Sequence, residues 1–174
     1  MADTPDILSE IRAEASRIEE DATYSSCGHF EASKPWAHLN LWLGIPFTLA
    51  SAGAGVSALN DMPALASAIA FAVAAGTALM TFLAPQQRHK AHADCGNAYG
   101  ALRNEARIFR LIECSSGRPT DELLARLKEI DTRRNELNAS SPVIPERAFK
   151  KARRGIEEGQ KTHRADQSTS HTSE

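Results

Sequence analysis

Apolar residues crowd into one stretch of this chain, LNLWLGIPFTLASAGAGVSALNDMPALASAIAFAVAAGTALMTFLA, residues 39–84, which holds a single charged side chain, Asp61. The tetrapeptide NDMP divides it into Leu39–Leu59 and Pro63–Ala84. Wound as a helix at ~1.5 Å per residue, either segment reaches about 30 Å, the thickness of a bilayer's hydrocarbon core. Asn60, Asp61 and Pro63 are turn formers, and Pro63 suits the first position of a new helix. The lone charge therefore falls where a hairpin must return to water. A soluble helix keeps a polar face. Neither segment has a charged one, and a chain of 174 residues offers little other mass to bury both on all sides. The pattern predicts two transmembrane helices, 39–59 and 63–84.

Outside this stretch the period is amphipathic. Leu8, Ile11, Ala15, Ile18, Ala22 and Ser25 recur at spacings of three and four, predicting a helix over 5–34 that ends or kinks at Pro35. His92, Cys95, Tyr99, Leu102, Ala106 and Phe109 repeat that spacing over 86–113, ending at SSGRP around Gly117. Thr120 is a good N-cap for a helix over 120–137 with Leu123, Leu127, Ile130 and Leu137 on one face. Pro145 opens a last helix, 145–159, with Phe149, Ala152 and Ile156 facing one way. The Ser/Thr/His-rich segment 161–174 lacks apolar period and reads as a disordered tail. The expected fold is all-α: one domain over 1–160, a two-helix transmembrane hairpin with flanking cytosolic amphipathic helices forming a helical bundle.

Within the spans, bulky residues alternate with small and hydroxylated ones. Gly44, Thr48, Ser51 and Gly55 share a face of the first helix; Ser67, Ala70, Ala74, Thr77 and Thr81 share one of the second. Small residues let backbones approach closely, and a hydroxyl stripe can also line a narrow water path. Thr48, Ser51, Gly55, Ser67, Thr77 and Thr81 are thus candidate pore-lining or helix-packing residues, and a homo-oligomer is expected.

Charge adds orientation. The net charge of -2 and mean hydropathy of -0.35 conceal a strong segregation. Residues 1–38 carry three Lys/Arg against eight Asp/Glu, and residues 85–174 seventeen against thirteen. The hairpin's turn has neither Lys nor Arg, whereas Lys34 precedes the first span and Arg88 and Lys90 follow the second. The positive-inside rule then puts both termini in the cytoplasm of a multi-pass inner-membrane protein, with Trp36 and Trp42 at the interface. The acidic N-terminus does not read as a cleaved signal peptide. Cys27, Cys95 and Cys114 are too few for a disulfide framework and read as reduced thiols.

Candidate chemistry is sparse. HKAHADC spaces His89, His92 and Cys95 at i, i+3 and i+6, a poor match to one helix face, so packing is expected there and no metal. The basic cluster KKARRG supplies Lys150, Lys151, Arg153 and Arg154 as candidate contacts for lipid or nucleotide phosphate, or simply a solvated face. The acidic RIEED is expected to face solvent or pair with the basic arms. No catalytic constellation is present, so neither an enzyme nor a cofactor is expected, and nothing points to nucleic acid.

RIEEDATYSSCGHFEAS (17–33), WLGIP (42–46), TFLAPQQRHKAHADCGNAYGALRNEARIF (81–109), ELNASSPVIPERAF (136–149) and ARRGIEEG (152–159) together resemble the SLATT family, the SMODS and SLOG-associating two-transmembrane effector domain of prokaryotic conflict systems. The resemblance implies a pore-forming membrane effector of antiviral defence by abortive infection. Its trigger would be a nucleotide second messenger made by a partner synthase. It transfers no catalytic, pore-lining or ligand-contacting residue. The sequence leaves a second class open, a non-conducting membrane scaffold or anchor that recruits a cytosolic partner through its helical stripes.

Overall fold

A computed structural model describes residues 6–60 and 62–160. The first residue of the expected N-terminal helix, the turn residue Asp61 and the expected disordered tail 161–174 lie outside the described residues. The protein is all-α: α1 (Ile7–Leu59), α2 (Pro63–Leu83), α3 (Pro85–Leu111), α4 (Thr120–Ser140) and α5 (Glu146–Glu157), with a 3-10 turn at Glu113–Ser115. Among the described residues there is no strand. The chain divides into two compact units, one from residues 1–32 and 92–174 and the other from Ser33–Ala91.

The first unit is a helical bundle. Ile11, Ala15, Ile18 and Ala22 of α1 meet Tyr99, Leu102, Ala106 and Phe109 of α3 and Leu123, Leu127 and Ile130 of α4 in one core, with Leu8 and Leu137 packed against it. Ile18, Leu102, Phe109 and Ile130 are fully buried. The stripes follow the expected period with two shifts. Ser26 replaces Ser25 on α1, and Gly96 replaces Cys95 on α3. The reason is a close helix crossing. The Ser26 hydroxyl donates to the Gly96 carbonyl at 2.7 Å in the interior, and a Cβ on Gly96 would stand 3.1 Å from the Phe30 ring. A side chain there would press on the ring and push it back by a few tenths of an ångström, and glycine avoids this.

Ion pairs hold the bundle's flanks. Arg110 donates through Nε and Nη2 to Glu19 at 3.0 and 2.9 Å. Glu105 accepts from both Arg126 and Arg133 of α4, and Arg134 lies 3.8 Å from Asp21. Glu19 and Asp21 of RIEED thus pair with basic residues, as expected.

Two helix starts and one helix face differ from expectation. Pro119, not Thr120, is the N-cap of α4, and no side chain caps it; Pro145 caps α5 from outside instead of opening it. On α5 the buried residues are Ala148 and Ala152, while Phe149 is 42% exposed. Two alanines four apart let the helix lie close, and the larger ring moves to the rim, 6.4 Å from Tyr24. After α3 the chain makes its 3-10 turn before Gly117, whose φ of 75° lies in the left-handed region glycine tolerates.

The second unit holds the apolar stretch. α2 starts at Pro63 as expected and has no buried residue. The helix was expected to end or kink at Pro35; it does not end there, and α1 runs on for 53 residues with Pro35 and Pro46 inside it. Each proline withdraws one backbone donor and crowds the preceding turn, a cost of about 3 kcal/mol in a helix interior. A helix this long retains enough flanking hydrogen bonds to continue through both. α1 and the helix pair α2–α3 are long and apolar enough to cross a membrane. Between α2 and α3 a single residue, Ala84, takes φ 44° and ψ 51°. Pro85 disfavours the right-handed helical region for the residue before it, and the left-handed conformation lets one helix end and the next begin.

Candidate functional site

Within the hairpin unit, half-buried positions trace a seam: Phe47, Ala50, Ala54 and Ser57 on α1, and Ile69, Val73, Gly76 and Met80 on α2. At its centre the Phe47 ring lies directly against Gly76, where no Cβ could fit without moving it. Bulky side chains point outward, including Leu49 at 67% exposure, Phe71 at 78% and Phe82 at 83%. Such an outer surface is unusual on a soluble protein and ordinary in lipid.

All six candidate pore-lining or helix-packing residues, Thr48, Ser51, Gly55, Ser67, Thr77 and Thr81, are exposed and lie off this seam. They do not hold the hairpin together. Thr48 donates to the Gly44 carbonyl at 2.8 Å, Ser67 to Pro63 at 2.8 Å and Thr81 to Thr77 at 2.9 Å. These hydroxyl protons are committed to the helix's own backbone, and the lone pairs of the oxygens remain available as acceptors.

The basic cluster on α5 is largely neutralised. Lys150 pairs with Glu146 at 2.6 Å, Lys151 with Glu31 at 3.0 Å and Arg153 with Glu157 at 2.7 Å. Arg154 is exposed. Beside Arg153 a groove of about 440 Å³ is lined by Glu20, Asp21, Tyr24, Asn138 and Phe149. Its two carboxylates disfavour a phosphate there.

The bundle's interior holds a feature the sequence did not single out. His29 of α1 is 1% exposed and His92 of α3 is 6% exposed, and their Nδ1 atoms lie 3.0 Å apart. Tyr99 stacks on His29 with centroids 5.5 Å apart and planes 15° apart, and its hydroxyl donates to Asn138 Oδ1 at 2.8 Å. Burial, with a further contribution from the neighbouring His92, pushes His29 down to about 4. Burial alone pushes His92 below its ordinary value. One imidazole must donate Nδ1–H and the other accept, so both rings cannot be cationic in this contact. His29 continues the α1 stripe three residues after Ser26, and that register was the available signal. His89 instead donates Nδ1–H to the Ser33 carbonyl at 3.1 Å, and Cys95 is half-buried. No group of three or more metal-ligating side chains gathers among the described residues. Buried Cys114 is pushed up by desolvation, against the opposing pull of Arg12.

Comparison with protein-family models, with curated proteins and with solved structures finds no match to this chain.

Proposed function

We propose that this chain is a SLATT-type membrane effector of a prokaryotic nucleotide-signalling conflict system, whose hairpins assemble into a pore that arrests or kills the cell. The observation that carries the reading is the outward stripe of small and hydroxylated residues on an otherwise apolar hairpin. In one copy those residues are exposed and lie off the seam, which leaves them for copy-to-copy contact or for water. In the proposed topology both spans cross the inner membrane with both termini cytoplasmic, because Lys34, Arg88 and Lys90 flank the spans and the turn has no Lys or Arg. The trigger, a nucleotide made by a partner synthase, must bind the open assembly more tightly than the closed one, since a ligand with equal affinity for both shifts nothing.

The second reading is a non-conducting scaffold. It is favoured by the back-bonded hydroxyls of Thr48, Ser67 and Thr81, which already have backbone partners and need no water path. Dye release from liposomes carrying the inserted protein, with and without cyclic oligonucleotides, separates the two. Release that rises with a nucleotide supports the effector. Sealed vesicles with inserted protein under every nucleotide tried favour the scaffold.

A further inference from the structure

The cations at the open end of the hairpin unit form a more specific arrangement than a generic basic flank. Arg88 donates Nε–H to the carbonyl of Leu83 at 3.0 Å. Leu83 is the last residue of α2, so this bond satisfies a carbonyl that has no partner further along its own helix. The same guanidinium lies 5.0 Å from the centre of the Trp36 ring. It is held from two sides, by a helix C-terminus and by an aromatic face. Its Nη groups, which make no other bond among the described residues, are left as a planar pair of donors. Lys90, two residues on, is exposed. The unit's sequence from Ser33 to Ala91 contains a single acid, Asp61, in the turn. No carboxylate of this unit therefore competes for Arg88, in contrast to α5, where three of four cations are paired with acids.

We propose that Arg88, backed by Trp36 and the Leu83 carbonyl and assisted by Lys90, is a binding site for the phosphodiester headgroup of an anionic phospholipid. A fixed guanidinium presents two parallel N–H donors to two phosphate oxygens, which a mobile ammonium does not. Trp36 places an amphipathic ring at the depth where headgroups lie. The site rests on the reading that the hairpin spans a bilayer.

The test uses the full chain carrying Trp42→Phe, so that Trp36 is the only tryptophan. It is reconstituted in vesicles of phosphatidylcholine and phosphatidylglycerol, with one lipid or the other brominated on its chains. Stronger quenching of Trp36 by brominated phosphatidylglycerol than by brominated phosphatidylcholine at equal mole fraction is expected. The preference should fall by about fivefold in R88Q and should weaken with added salt. R88K should keep part of it, because the charge remains while the fork is lost. Comparing two lipids in the same variant cancels any change R88Q makes to Trp36 emission itself. Equal quenching by both lipids overturns the headgroup site while leaving the spanning hairpin intact. Absence of quenching by either overturns the spanning reading and the site with it. If millimolar inorganic phosphate abolishes the preference at constant ionic strength, the site serves a free phosphate and not a lipid.

Discussion

His29 and His92 share one N–H between two ring nitrogens 3.0 Å apart inside the bundle. The fold favours the uncharged pair. An unfolded His29 binds a proton near its ordinary value of about 6.5, and the folded one only near about 4. Between those values the unfolded chain carries more protons, so stability rises with pH. The contribution is fully present above about 6.5 and is lost as pH falls toward 4, by an amount on the order of 2–3 kcal/mol. Thermal unfolding followed by circular dichroism from pH 7 to pH 4.5 should show this slope. Carboxylates titrate in the same range, so the diagnostic is the difference between the wild type and H29N, which should be the flatter of the two. Parallel slopes would remove the histidine pair from the account.

The core of the same unit should respond as a close-packed interior. Phe109 is fully buried between elements of the bundle. Phe109→Ala should cost about 3–5 kcal/mol, measured by denaturant unfolding in detergent. A loss below 1 kcal/mol would mean the site collapses or was never packed.

Phe47 and Gly76 should be energetically coupled. Gly76→Ala forces the ring away and should destabilise the hairpin by about 1–3 kcal/mol. Phe47→Ala creates room for the new methyl. The double variant should therefore lose less than the sum of the single losses, read by unfolding in mixed micelles. Simple additivity would place the ring elsewhere.

If the outward hydroxyls line a water path, Thr48, Ser67 and Thr81 present oxygen lone pairs to it, because their protons are bonded back to the helices. Currents across a reconstituted bilayer should then favour cations over anions. Thr48→Leu and Thr77→Leu should reduce conductance. Unchanged currents in both variants would assign the stripe to helix packing.

The hairpin is legible in sequence because a charge inside an apolar run costs so much that its single occurrence marks the turn. The bundle's stripes are legible for the related reason that burial imposes a period. What escapes the pattern is contact made by absence or by pairing. Gly96 joins the core through its missing side chain, which a count of apolar residues cannot register. His29 sits on the period but reads as an interruption until His92 is brought opposite it. The two prolines of α1 carry a local preference for breaking a helix that a 53-residue element overrides. The α5 cations read as a free basic face because their partners Glu146 and Glu157 look, in one dimension, like any other surface charges. The third partner, Glu31, lies more than a hundred residues away along the chain. The proposed effector role rests on the family resemblance and on the hairpin's outward stripe, and on no feature of the bundle's interior.

The turn between α1 and α2 contains one acid and no base, and this bears on how the hairpin gets into a membrane at all. In the proposed topology that turn must be carried outward against the cost of dehydrating a carboxylate. A cell interior held negative drives an anion in that direction, with about 2.3 kcal/mol per elementary charge for each 100 mV. A lysine in place of Asp61 would have to climb the same voltage. Dissipating the proton-motive force during synthesis should therefore slow insertion of the native chain and relieve the handicap of D61K.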